Sequence, residues 1–121
     1  MSQSVVVLEK DPKVASHLAG GLRPHFSVLV TGSREELRAN VARTHPQAVV
    51  LNIEHWLLDD VESLHRDFPK LPIVCTHRIP DEEMWAAALS AGASDVCPAD
   101  DVGNVLSSVL RNMDISRRAA A

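Results

Sequence analysis

Four short stretches hold the polar side chains with which this chain could do chemistry: Glu9-Lys10-Asp11, Asn52 to Trp56, Thr76-His77 and Pro98 to Asp101. Glu9 and Asp11 are carboxylates, the ligand type that holds a hard cation. The plainer use, and the expected one, pairs Glu9 with a neighbouring cation and lets Asp11 cap a helix. Cys75, His77 and Cys97, with His55 nearby, raise a second possibility, since thiolate and imidazole together suit zinc. The cysteines are 22 residues apart, however, and no ligand pair has metal spacing, so buried free thiols and no metal site are expected. The histidines (His17, His25, His45, His55, His65 and His77) are scattered and sit in no phosphotransfer motif. The chain has no Cys-x-x-Cys and no Gly-rich phosphate loop, and Gly20-Gly21 falls within or at the end of a helix, the wrong place for phosphate. No catalytic residue, no cofactor and no enzyme activity are expected.

Whether those stretches meet depends on the elements that carry them. Val5-Val6-Val7-Leu8 is a continuous apolar run, as in a strand buried on both faces, and Phe26 to Val30 reads as a second strand. Ala48 to Leu51 is a third, ending at Asn52; Pro72 to Cys75 and Asp95 to Cys97 are a fourth and a fifth. Helices fall between them. Asp11 suits an N-cap with Pro12 at the first helical position, and Val14, Leu18 and Leu22 follow at four-residue spacing. Ser33 and Glu36 form a capping box for a polar helix to about Arg43. A third helix is expected from about Leu57 to Arg66, and a fourth from Asp81 to a stop at Gly92. The last carries Val102, Val105, Leu106, Val109, Leu110 and Met113 on one stripe. This alternation predicts an α/β fold, a doubly wound parallel sheet with five helices, whose ligands would sit beyond the carboxyl ends of the strands. Residues 1–113 form that domain, and 114–121 read as a short C-terminal tail.

Composition bounds the rest. The 121 residues make one domain, with 45% hydrophobic and 23% charged side chains, enough to bury a core without disulfide or metal. A net charge of −4, with Arg117-Arg118 as the only basic cluster, argues against nucleic-acid binding by the domain itself. No apolar run approaches the length of a membrane span, and Met1-Ser2-Gln3-Ser4 lacks a signal-peptide charge pattern, so a cytoplasmic location with reduced thiols is expected.

From about Ser4 to Arg111 the chain resembles the receiver domains of response regulators. The resemblance rests on Leu8-Glu9-Lys10-Asp11-Pro12, on Pro46 to Asn52, on Leu71-Pro72-Ile73-Val74 and on Ala91-Gly92-Ala93-Ser94-Asp95, four pieces in register. It implies a flavodoxin-like strand order 2-1-3-4-5 and a place in bacterial two-component signal transduction or a phosphorelay. The residues that perform the family's chemistry are mostly replaced. Asn52 stands where the family has its phosphoacceptor aspartate, and an amide is a poor nucleophile. Glu9 matches the first of two acidic metal ligands, while Lys10 replaces the second and is expected to repel a cation or fill part of its place. His77 aligns with the family's Thr or Ser, with Thr76 one residue off. Ala99 aligns with its lysine and Val96 with its aromatic switch residue. The third connecting loop, Ile53 to Asp60 with Glu54 in it, lacks the usual Pro and Gly. Together Glu9, Lys10, Asp11, Asn52, Glu54, His77 and Ala99 form a degenerate phosphorylation pocket.

The resemblance therefore implies a pseudo-receiver, a phosphorylation-independent protein-interaction module in a signalling pathway. The alternative is a regulator switched by a non-phosphoryl input, a small ligand or weak metal in the same pocket. The expected partner surface is the face of helix 4, strand 5 and helix 5, through Met84, Trp85 and Val96, for a protein partner or a homodimer. On helix 4 the family register turns Ala86 and Leu89 inward and Trp85 sideways or outward. Trp56 is expected either to cover the pocket or to pack on its own loop's helix.

Overall fold

The computed structural model describes residues 3–54 and 58–120, with side chains as far as Met113. Five strands alternate with five helices. They are β1 (Ser4–Leu8), α1 (Pro12–Leu22), β2 (Ser27–Thr31), α2 (Arg34–Thr44), β3 (Ala48–Asn52), α3 (Leu58–Asp67), β4 (Ile73–His77), α4 (Glu82–Ala91), β5 (Asp95–Pro98) and α5 (Val102–Ala120). The strands form one sheet in the order β2-β1-β3-β4-β5, with every pair parallel. The strand order and the α/β class match the expectation.

The sheet separates two cores because successive side chains of a strand face opposite ways. Val6, Leu8, Val49, Leu51, Ile73, Cys75 and Val96 pack under α2, α3 and α4 with Leu37, Val41, Val61, Leu64 and Ala88. Val5, Val7, Ala48, Val50, Val74 and Cys97 face α1 and α5, meeting Leu18, Leu22, Val105, Val109 and Met113. The apolar runs of β1 and β3 are long because those strands are covered on both faces. β3 is buried at all of its positions, so its last residue, Asn52, is held in a fixed place.

Local signals set the helix ends. The Asp11 side chain accepts from the Lys13 N–H at the start of α1, Ser33 from Glu36, and Asp81 from Met84, so each polar residue satisfies a donor that the helix leaves open. α4 ends at Gly92, whose φ of 114° is costly for any residue with a Cβ. A Cβ there would also lie 2.5 Å from the His65 ring on α3. Two details depart from the sequence reading. The inward stripe of α4 is Met84, Ala88 and Ala91, while Ala86 is exposed and Leu89 only half-buried. The register is thus rotated from the expected one, with Ala88 as the fully buried residue of the helix. α5, expected to end near Met113, continues as helix through residues 114–120, where alanine and arginine keep helical propensity after the apolar stripe ends.

Candidate functional site

The carboxyl ends of β1, β3, β4 and β5 open on one side of the sheet, and the polar stretches of the sequence gather there. Glu9 follows β1 with only 4% of its surface exposed, and Asn52 ends β3, also at 4%. The two are joined directly. Asn52 Nδ2 donates to Glu9 Oε1 at 2.6 Å, and the backbone N–H of Asp11 donates to Glu9 Oε2 at 3.1 Å. Asn52 Oδ1 in turn accepts the Glu54 N–H at 2.7 Å, so every polar atom of both side chains except one amide hydrogen is engaged. The Glu54 carboxylate receives the Arg78 backbone N–H, with the Arg78 guanidinium 4.0 Å from its other oxygen.

These groups line a cavity of about 330 Å³ together with Val14, Ala99 and Asp100. Among the described residues, the lining carries the carboxylates of Glu9, Asp11, Glu54 and Asp100 and the guanidinium of Arg78, an excess of acidic groups. The donor set does not fit a divalent cation well. Glu9 has given both oxygens to N–H donors, and Asn52 presents an amide where an anionic ligand would be needed. Among the described residues, no three His, Cys, Asp or Glu side chains come together in a way that could hold a metal ion.

The expected site residues divide accordingly. Glu9, Asp11, Asn52, Glu54 and Ala99 line the cavity together. Lys10 is exposed and is not part of the lining. Glu9 continues the alternation of β1 inward and Asp11 turns to cap α1, which leaves Lys10 pointing away from the place of the metal that it was expected to fill. His77 ends β4 half-buried and turns its ring back onto its own chain, with Nδ1 accepting the Ile79 N–H at 3.1 Å. One residue, Arg78, was not found from sequence, while Thr76, read there as one residue off the family's hydroxyl position, lies within β4. Arg78 is the first cation after β4, a signal too common to single it out. Thr76 pairs in register with Asn52 on one side and Cys97 on the other, and its buried hydroxyl has no hydrogen-bond partner among the described residues. His55 and Trp56 lie outside the described residues, so the expectation that Trp56 covers the pocket rests there.

Cys75 and Cys97 are free and buried on opposite faces of the sheet. Burial, reinforced by Cys97 and Asp95, pushes the Cys75 thiol up to about 12; burial and then Asp95 push Cys97 up to about 11. Both therefore stay as inert thiols at neutral pH. On the surface, Trp85 is 47% exposed and Ile79, in the β4–α4 connection, 76%. Met84 is only partly buried and packs against the core. Val96 does not belong to this surface: at 7% exposure it is part of the core beneath α4, because its place in β5 puts its side chain on the Cys75 face of the sheet.

Compared with known proteins, no family model matches the chain and no curated protein matches it in sequence. Solved structures do. A response regulator receiver domain protein from Methanospirillum hungatei JF-1 superposes with a TM-score of 0.86 at 13% identity, over 98% of this chain and 99% of that one. A response regulator from Thermotoga maritima gives 0.85 at 15% identity, over 94% and 99%. A protein described as an atypical orphan response regulator with a phosphorylation-independent regulatory mechanism gives 0.82 at 16% identity, over 93% and 96%. The chain has the fold of response regulator receiver domains, over nearly its whole length.

Proposed function

We propose that this protein is a receiver-type signalling module, bacterial and cytoplasmic, that works through protein contacts and does not carry a phosphoryl group in its strand-end pocket. The observation that carries this reading is the Asn52–Glu9 hydrogen bond of 2.6 Å. In a receiver fold the group that ends β3 is the one placed to accept phosphate. Here it is an amide, without the lone-pair nucleophilicity of a carboxylate, and it already donates to the buried Glu9 carboxylate. Ala99 supplies no cation to steady an oxyanion. Helix dipoles and backbone N–H groups do not replace a missing nucleophile. The similar atypical orphan regulator is described as phosphorylation-independent, which fits the same reading. The partner would be a protein of a signalling pathway, with Trp85 as its anchor, in a heterologous complex or a homodimer through α4, β5 and α5.

The test is intact mass after incubation with acetyl phosphate and Mg²⁺. An unchanged mass is expected; a stable adduct overturns the proposal, and mapping it would show which group had taken the role of the aspartate. A second reading has one observation in its favour, the cavity of about 330 Å³ that remains beside Asn52. A small ligand bound there would raise the melting temperature, and the rise would keep growing with the logarithm of its concentration above Kd.

A further inference from the structure

The connection from β4 to α4, residues 77–80, is tied down at three points, each through a different chemistry. The His77 carbonyl accepts the Ala99 N–H at 3.0 Å, which anchors the start of the turn to the end of β5. Arg78 meets the Glu54 carboxylate through its backbone N–H and its guanidinium. The Ile79 N–H donates to His77 Nδ1 at 3.1 Å. Pro80 has no N–H, so the Ile79 amide is the last main-chain donor before Asp81 caps α4.

Of these three ties, only the last is made by an imidazole. Imidazole is the side chain that ordinarily changes protonation between pH 5 and 8. An imidazole that accepts at Nδ1 is neutral, with its hydrogen on Nε2; once protonated, both nitrogens are donors and Nδ1 has no lone pair left to offer. We infer that His77 is a proton-operated latch on the β4–α4 turn: the neutral ring holds the Ile79 amide, and the protonated ring releases it. The inference rests on reading the chain as a module that signals through surface contacts, because the segment released carries the exposed Ile79 and leads through the Asp81 cap to Trp85. The charged groups around the turn are Glu54 from the β3–α3 connection, Arg78 on the turn itself, Asp100 across the cavity from the β5–α5 connection, and Asp81 at the start of α4. Glu54 and Arg78 are paired with each other. The backbone bond from Ala99 to His77 does not titrate, so β4 keeps its end while the turn opens.

The experiment is amide hydrogen exchange of Ile79, followed by NMR between about pH 7.5 and about pH 5.5 and expressed as protection relative to the free peptide. In the native protein, protection should fall roughly tenfold over that range, the size of one hydrogen bond. His77→Asn keeps a neutral acceptor two residues before the same N–H, as in an Asx-turn, and should hold the amide at both pH values. His77→Ala should leave it open at both. All other histidines stay in place in these variants, so the difference isolates His77. Constant protection of Ile79 in the native protein overturns the latch, as does an undiminished pH response in His77→Asn. A phosphoryl adduct in the acetyl phosphate experiment would overturn the signalling reading and leave this measurement unaffected.

Discussion

Glu9, beyond the carboxyl end of the inner strand β1, and Asp95, at the start of the edge strand β5, solve the same problem differently. Glu9 is almost completely buried and has no counter-ion among the described residues; it is held by the Asn52 amide at 2.6 Å and the Asp11 N–H at 3.1 Å. Asp95, at the start of β5, accepts the Val96 N–H at 2.8 Å, the Ser108 hydroxyl at 2.6 Å and the Arg111 guanidinium at 3.0 Å. Asp95 is thus an ordinary structural carboxylate that ties α5 to the sheet, with a cation on its solvent side. Glu9 stands where receivers keep acidic residues for chemistry, and here it is satisfied by neutral donors alone. A buried charge needs partners at its own depth, and the replacement of an acid by Asn52 supplies one. The two most deeply buried polar side chains of the pocket thus satisfy each other directly.

Alkaline titration gives the largest expected effect, and it acts on the Asp95 side. Cys97 lies near Asp95, and both thiols are raised above their ordinary value of 9.0, Cys75 to about 12 and Cys97 to about 11. A pKa higher in the folded than in the unfolded chain means stability that is intact below pH 9.0 and lost as pH rises towards those values. Urea melts from pH 8 upward should show this loss, and Cys75→Ala with Cys97→Ala should remove most of the pH dependence. Glu9→Ala comes next, at about 1–3 kcal/mol, since it strands the buried Asn52 amide donor. Asp95→Ala should cost about 1–2 kcal/mol through the wholly buried Ser108 hydroxyl, and Arg111→Ala under about 1 kcal/mol because that guanidinium is mostly in water. An Asp95→Ala cost well above that of Glu9→Ala would reverse the comparison. Asn52→Asp sharpens it: two carboxylates would then face each other, and calorimetry should detect tighter Mg²⁺ binding than to the native protein.

Much of this geometry was legible in the sequence, for physical reasons that differ by residue. The apolar runs of β1 and β3 end abruptly in Glu9 and Asn52, and a strand's length fixes where its end must lie, so their meeting could be foreseen. The N-cap role of Asp11 was equally clear from Pro12 behind it. Lys10 was not, because one step along a strand end reverses the direction of a side chain. For the same reason Val96 reads as surface from a family position but packs under α4. Arg78 and the ring of His77 depend on how a short turn folds back, and that is set by Glu54 and Ala99 from distant parts of the chain. Ala86 was misplaced because an alanine-rich helix has too weak an apolar stripe to fix its own rotation.

The smallest expected effect on stability is the most informative about partners. Trp85 is 47% exposed on α4, whose inward stripe is Met84, Ala88 and Ala91. Trp85→Ala should therefore change the urea midpoint by an amount worth about 0.5 kcal/mol or less, as surface substitutions do. A residue this large, left half in water, loses little on truncation in the free chain and much in a complex, because tryptophan buries wide apolar area at the centre of an interface. Sedimentation of native and variant protein over a concentration series reads the homodimer case directly. A native self-association that weakens tenfold or more in the variant, with the midpoint unchanged, assigns the α4 face to contact between copies. A large fall in the midpoint would instead place Trp85 among the packing residues and return the partner surface to the latch side of the sheet, around Ile79.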